Sequence, residues 1–354
     1  MLNSAYMFDK LMARFSYDIG MDLGTANILV YVKGKGILIS EPSVVTIHKK
    51  TKQVLAVGRE AKHMLGKTPK NLEAIRPLRH GVISDFYATE QMLAHFIKSV
   101  NSMPTKFPKY PHPRIVIGVP SGLTSVEQKA VVDSALTAGA RKALLVEEPM
   151  AAAIGADLPI KKAAGNLIVD IGGGTSEIAV ISLGGVVVSS SLRVAGDQLD
   201  TDIVNYARQQ YNLLLGEKTA EKLKCLHGQA MEAPETGTDD GEVVFQGRDL
   251  KTGLPRSIPT SSTELNKAMK GSLQQIINAI KDVIEEVPAE LMPDILSDGL
   301  VLAGGTSQLK GLDRLLSREL KIPVRVAKDP IACVVRGCGK LLDDDNLLNL
   351  VKIN

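Results

Sequence analysis

The chain repeats part of itself. Asp22-Leu23-Gly24-Thr25 follows one apolar stretch, and Asp170-Ile171-Gly172-Gly173-Gly174-Thr175 follows another, with the two aspartates 148 positions apart. Downstream of each Asp-x-Gly the same order recurs: a second apolar strand, a Gly turn (Gly34-Lys35-Gly36 in one copy, Gly184-Gly185 in the other) and a further strand. A duplicated supersecondary unit implies two similar halves, and two such halves commonly form a cleft.

The rest of the pattern fits an α/β architecture. Residues 86–100 and 124–138 have helical spacing, and residues 114–119 and 143–146 read as strands, the latter running into Glu147-Glu148-Pro149. In the second half, residues 197–215, 217–227, 263–286, 309–320 and 329–342 read as helices, and residues 299–303 and 324–326 as strands. Residues 232–260 are rich in Gly, Pro and Thr, with strands expected at 242–246 and 256–258. The expected division is a first domain over 17–150, completed by 329–354, and a second over 151–328, preceded by a helix at 1–16.

Composition narrows the classes of function. At 354 residues, 44% hydrophobic and 23% charged, the chain can bury full cores and is neither disordered nor fibrous. A net charge of +3 disfavours nucleic acid as the main partner. Three cysteines without a CxxC pair argue against a disulfide framework or a zinc site. No apolar run approaches the ~18 residues of a spanning helix, and charges at Asp9, Lys10 and Arg14 break any secretory h-region, so a cytoplasmic protein is expected. Met7, Phe8, Leu11, Met12 and Phe15 form one apolar helical face with those charges off it. That pattern suits peripheral attachment to a membrane, or a helix packed on its own domain. Met103 and Phe107, beside Lys106 and Lys109, would offer a second membrane contact.

Each Asp-Gly turn joins two strands and does not open a helix, which separates it from Walker A and Rossmann loops. A hairpin still binds phosphate when successive N–H groups form a nest. A run of three glycines is costly to order, so a purely structural turn rarely needs it. An aspartate at the strand end would hold Mg²⁺ through water. Three further clusters stand out. Gly304 and Gly305 end a buried strand and would let a base or sugar approach the backbone. Glu221 and Lys224 share one helix face, where they would reach ribose and base or form a solvated pair. Glu148, at a strand end before Pro149, would orient or deprotonate water. Small residues (Ala151, Ala152 and Gly155; Gly337, Cys338 and Gly339) would let two helices cross closely, as a hinge requires.

Asp22-Leu23-Gly24-Thr25, Asp170 to Thr175 and Ala303-Gly304-Gly305 resemble the phosphate and adenosine motifs of the actin/Hsp70/sugar-kinase superfamily. Within it the chain resembles the bacterial actin-like cell-shape proteins of the MreB type. The matching stretches run in order through 22–36, Glu41-Pro42-Ser43-Val44-Val45, Ile75-Arg76-Pro77-Leu78, 147–155, 170–183 and 329–339. The resemblance implies an actin-like ATPase fold, two duplicated α/β domains around a nucleotide cleft. It implies ATP and Mg²⁺ as cofactors, with Asp22 and Asp170 holding the metal's waters. Gly24, Thr25, Ala26, Asn27, Gly172, Gly173, Gly174, Thr175 and Ser176 would lie on the phosphates. Glu221, Lys222, Leu223, Lys224, Gly304, Gly305, Thr306 and Ser307 would hold the nucleoside, and Glu148 with Asp170 would serve hydrolysis. It also implies homopolymeric filaments on the inner face of the cell membrane, with cell-wall elongation proteins as partners and no nucleic acid. Ser176 stands where a second Thr is usual, and Ala303-Gly304-Gly305-Thr306 replaces a Gly-richer run. A small-molecule kinase or a plasmid-segregating filament of the same superfamily is the alternative; an Hsp70-like chaperone would need a further substrate domain.

Overall fold

The structure is a computed structural model and describes residues 17–102, 112–231 and 243–353. The expected N-terminal amphipathic helix, the 103–111 loop with its Met and Phe, and residues 232–242 lie outside the described residues. The chain forms two compact units, one of residues 1–163, 181–186 and 331–354, the other of residues 164–180 and 187–330.

In the first unit, β1 (Ile19–Leu23), β2 (Asn27–Val32) and β3 (Gly36–Pro42) form an antiparallel meander. β4 (Arg114–Val119) pairs parallel with β1, and β5 (Lys142–Glu147) parallel with β4, giving the order β5-β4-β1-β2-β3. Parallel strands covered by helices read as continuous apolar runs, and β4 does, from Ile115 to Val119. Helix α1 (Phe86–Asn101) starts at Asp85, whose carboxylate accepts from the Ala88 N–H at 2.9 Å. Its Met92, Leu93, Phe96, Ile97 and Val100 join the core of β1 and β4. Helix α2 (Ser125–Thr137) opens on a reciprocal Thr124–Glu127 capping box. Helix α3 (Glu148–Gly155) follows β5 directly.

The second unit repeats the arrangement. Here β6 (Asn166–Ile171), β7 (Ser176–Ser182), β8 (Gly185–Leu192), β9 (Leu300–Ala303) and β10 (Val324–Val326) lie in the order β8-β7-β6-β9-β10. β9 is parallel to β6 and β10 to β9, as β4 is to β1 and β5 to β4. Helices α4 (Gly196–Tyr211), α5 (Glu217–His227), α6 (Ser262–Glu285) and α7 (Leu312–Leu320) supply the rest of its core. The helix expected over 197–215 ends at Tyr211. Asn212 takes the left-handed conformation (φ 51°), which Asn tolerates better than most residues. The apolar Leu213–Leu214 then becomes a strand antiparallel to Val243–Asp249.

Helices α8 (Cys333–Leu341) and α9 (Asp345–Val351) belong to the first unit. α8 crosses α3 backbone to backbone. A Cβ at Gly155 would lie 1.8 Å from the Cys333 carbonyl oxygen, and one at Gly337 1.9 Å from that of Ala151. The small residues therefore meet as their spacing suggested. Beyond α8, three consecutive aspartates each take a cation from a different part of the first unit: Asp343 takes Lys33 (3.2 Å), Asp344 takes Lys161 (3.4 Å) and Asp345 takes Arg114 (2.8 Å). Ile353 N–H then donates to Leu145 C=O (2.9 Å), and Lys352 bridges Val146 on the outer edge of β5.

Candidate nucleotide site

In the first unit the carboxyl ends of three parallel strands meet at one edge of the sheet. Asp22 of β1 stands opposite Gly118 of β4, Gly118 opposite Val146 of β5, and Glu147-Glu148 follow. Ligands of open α/β sheets bind at this edge. A Cβ at Gly118 would meet Glu148 Cγ and Cys338 Sγ, each at 3.7 Å, and Val334 at 2.5 Å, so only glycine fits between α3 and α8 here. Asp22 keeps some exposed surface, yet burial pushes its carboxyl up to about 7. The Cys338 thiol is likewise pushed well up by burial, with Asp22 and Glu148 adding. Glu148 itself is buried.

The turn between β1 and β2 is held from one side. Ser43, fully buried, donates its hydroxyl to Gly24 C=O (2.5 Å) and its N–H to Ala26 C=O (3.0 Å). A trans peptide is planar, with N–H opposite C=O, so the Thr25 N–H points away from Ser43. The Thr25 hydroxyl accepts from the Gly81 N–H at 3.1 Å. A Cβ at Gly24 would fall 2.5 Å from Asn27 O, which explains the glycine. Asn27 is exposed and Ala26 half-buried.

In the second unit the corresponding turn is held by α4. Gly172 N–H closes the hairpin onto Thr175 C=O (2.9 Å). Gly172 C=O accepts from Gly196 N–H (3.2 Å) and the Thr306 hydroxyl (2.7 Å), and Gly173 C=O from Asp197 N–H (2.8 Å). By the same planarity, the N–H groups of Gly173 and Gly174 both point away from α4. Two successive N–H groups aimed one way suit an anion. Asp170, buried on β6, faces the strand that ends at Ala303. Gly304 lies against it with φ +80°, where a Cβ would be 2.3 Å from Asp170 Oδ1 and 2.3 Å from Ile171 O. Ser307 donates to Gly304 C=O at 2.7 Å, and Gly305 is exposed.

Lys224 comes to the same place. Its ammonium donates to Gly196 C=O (2.6 Å) and pairs with Asp200 of α4 (2.9 Å), while Glu221, one turn back on α5, is half-buried. Burial pushes the Asp200 carboxyl up to about 6; Lys224 pulls the other way, and Glu221 and Asp197 add to the rise.

The structure thus brings Asp22 and Glu148 together on one sheet edge, and Asp170, Gly172, Gly173, Gly304, Thr306 and Lys224 together in the second unit. Three expected residues are placed otherwise. Ser176 is fully buried and its hydroxyl donates to Val194 C=O (2.7 Å), so its side chain faces inward. Leu223 lies in the core of the second unit, and Lys222 is exposed. Sequence reading missed Ser43, Gly118, Gly196 and Asp200. Only Gly196 carried a local signal, a glycine followed by Asp197 at a helix start.

Two units with one strand order, each carrying an aspartate before a turn whose carbonyls are held from behind, define an actin-like fold. The family model described as MreB/Mbl protein matches residues 16–349. The cell shape-determining protein MreB of Escherichia coli (strain K12) is 50% identical over 341 residues, 95% of this chain and 96% of that protein. The cell shape-determining protein Mbl of Bacillus subtilis (strain 168) is 48% identical over 340 residues, 96% of this chain and 100% of that protein. Among solved structures, MreB5 of Spiroplasma citri bound to ADP superposes with a TM-score of 0.86 at 33% identity, covering 95% of this chain and 98% of that one. The chain belongs to the MreB/Mbl family.

Proposed function

We propose that the chain is an ATP-binding cytoskeletal protein that assembles into filaments at the inner membrane face and directs wall synthesis to keep cells rod-shaped, hydrolysing ATP slowly. Cell-shape determination is carried over from the relatives, self-assembly from the sequence resemblance, and the ADP bound in the Spiroplasma citri relative supports a nucleotide. The observation that carries the reading is the paired N–H groups of Gly173 and Gly174, turned outward by α4. The residues present fit Mg²⁺-ATP: backbone N–H groups for phosphate, Asp22 and Asp170 for a hydrated cation, and a glycine at 304 for a flat group. When bound, Mg²⁺ neutralises phosphate charge.

In this reading the Gly173–Gly174 turn and the Thr25 turn would bind phosphate oxygens, and Asp22 and Asp170 would be the carboxylates that hold the hydrated cation. Glu148 accepts a hydrogen bond from the attacking water and orients it. Thr306 and Lys224 fix the walls beside the nucleoside. The N-terminal apolar face provides the lipid contact.

Gly173→Val tests the binding mode. A branched side chain at the phosphate-facing turn should abolish binding of a fluorescent ATP analogue while the circular dichroism spectrum stays native. Wild-type affinity in this variant would overturn the phosphate-turn reading.

A further inference from the structure

We propose that Asp200 is a positioning residue for the Gly172–Ser176 turn, acting through the Lys224 ammonium and the backbone of Gly196. The proposal rests on the nucleotide reading above and adds a residue to it. An ammonium has three donors. Lys224 donates one to Gly196 C=O (2.6 Å) and lies 2.9 Å from Asp200 Oδ1 as an ion pair. The group that the sequence placed on the nucleoside is therefore largely committed to the protein. Its target is the carbonyl of the Gly196–Asp197 peptide, whose N–H, that of Asp197, holds Gly173 C=O (2.8 Å). There is no slack at Gly196: a Cβ there would meet Thr306 Oγ1 at 2.7 Å, Gly172 O at 3.2 Å and Lys224 Nζ at 3.3 Å. Asp200 thus pairs with Lys224, Lys224 holds the Gly196–Asp197 peptide by its carbonyl, and the Asp197 N–H of that same plane holds Gly173 C=O and so aims the Gly174 N–H.

The pair is a poor device for stability. The two side chains are only 11% and 9% exposed, and desolvating two charges commonly cancels their attraction. The raised Asp200 carboxyl shows that burial outweighs the pull of Lys224. What such a pair supplies is a fixed direction for one ammonium.

The test uses the purified full-length chain with Mg²⁺ and a fluorescent ADP analogue, competed by ADP and by AMP. Asp200→Asn and Lys224→Met should each weaken ADP about tenfold and AMP by no more than about twofold, a loss of orientation on the phosphate side. The double variant should be no weaker than either single one, because both break the same brace. Unchanged ADP affinity in Asp200→Asn, equal losses for ADP and AMP, or multiplicative losses in the double variant would each overturn the proposal. Should Asp200→Asn fail to fold, the apolar pair Asp200→Leu with Lys224→Met replaces both charges and removes the unpaired one. It should show the same fall in ADP-over-AMP preference, and a wild-type preference there overturns the proposal. A wild-type chain that binds neither nucleotide overturns the nucleotide reading itself, and this assignment with it.

Discussion

At the scale of single residues, the proposed hydrolysis turns on Glu148. This residue lies where β5 becomes α3, buried, across Gly118 from the Val334 and Cys338 side chains of α8. A carboxylate that positions or deprotonates water contributes roughly 10²–10⁴-fold. Glu148→Ala should therefore slow phosphate release by that order in a coupled phosphate assay while ADP still binds. Normal release would move the role to Glu147, or to Asp170 through water. The strand-end aspartates and the glycine turns were legible as tight approaches because their demands are local, as the close contacts at Gly24 and Gly304 show. Ser43, Gly118 and Asp200 were not legible. Each acts on a partner distant in sequence, and Ser43 or Asp200 read alone is an ordinary polar residue.

At the scale of elements, α3 and α8 cross with backbone against backbone. Adding a methyl at 337 places it 1.9 Å from the Ala151 carbonyl oxygen, a backbone atom that cannot swing aside. Overpacking typically costs about 1–3 kcal/mol, and a backbone clash belongs at the upper end. Gly337→Ala should lower Tm by at least several degrees in differential scanning calorimetry, whereas Lys222→Ala, on an exposed face, should leave it unchanged. A Gly337→Ala melt matching wild type would show that the helices separate at little cost. Element existence was largely readable, since apolar periodicity marked α1, α6 and the strands. Boundaries were less so. The run Leu213-Leu214-Leu215 continues a helical apolar stripe on paper, and only the left-handed turn at Asn212 reassigns it to a strand.

At the scale of the molecule, the duplication was legible because the offset of 148 aligns turn with turn, and the two units share one strand order. The C-terminal aspartates were not. Asp343-Asp344-Asp345 reads as a solvated charge run, yet each takes a different cation and together they tie the tail to the β5 edge. Exposed pairs of this kind are worth little singly, so their effect lies in holding one short segment at three points. In the reading proposed above, membrane attachment would belong to the assembled filament, since weak single contacts add when many subunits bind at once. Deleting residues 1–15 should abolish co-sedimentation with anionic vesicles and leave ATP binding intact. Full sedimentation of the truncated chain would assign the N-terminal segment to the protein's own packing.

The α3–α8 crossing also bears on how related chains can diverge. Backbone meets backbone at 155 and at 337, so neither site has a neighbouring side chain that could be trimmed to admit a larger residue at the other. The two glycines are then one packing requirement written in two places. A homologue that has gained a side chain at either must have re-angled its helices. Such a change would mark a lineage whose first unit is packed differently, and one letter of its sequence would be enough to tell.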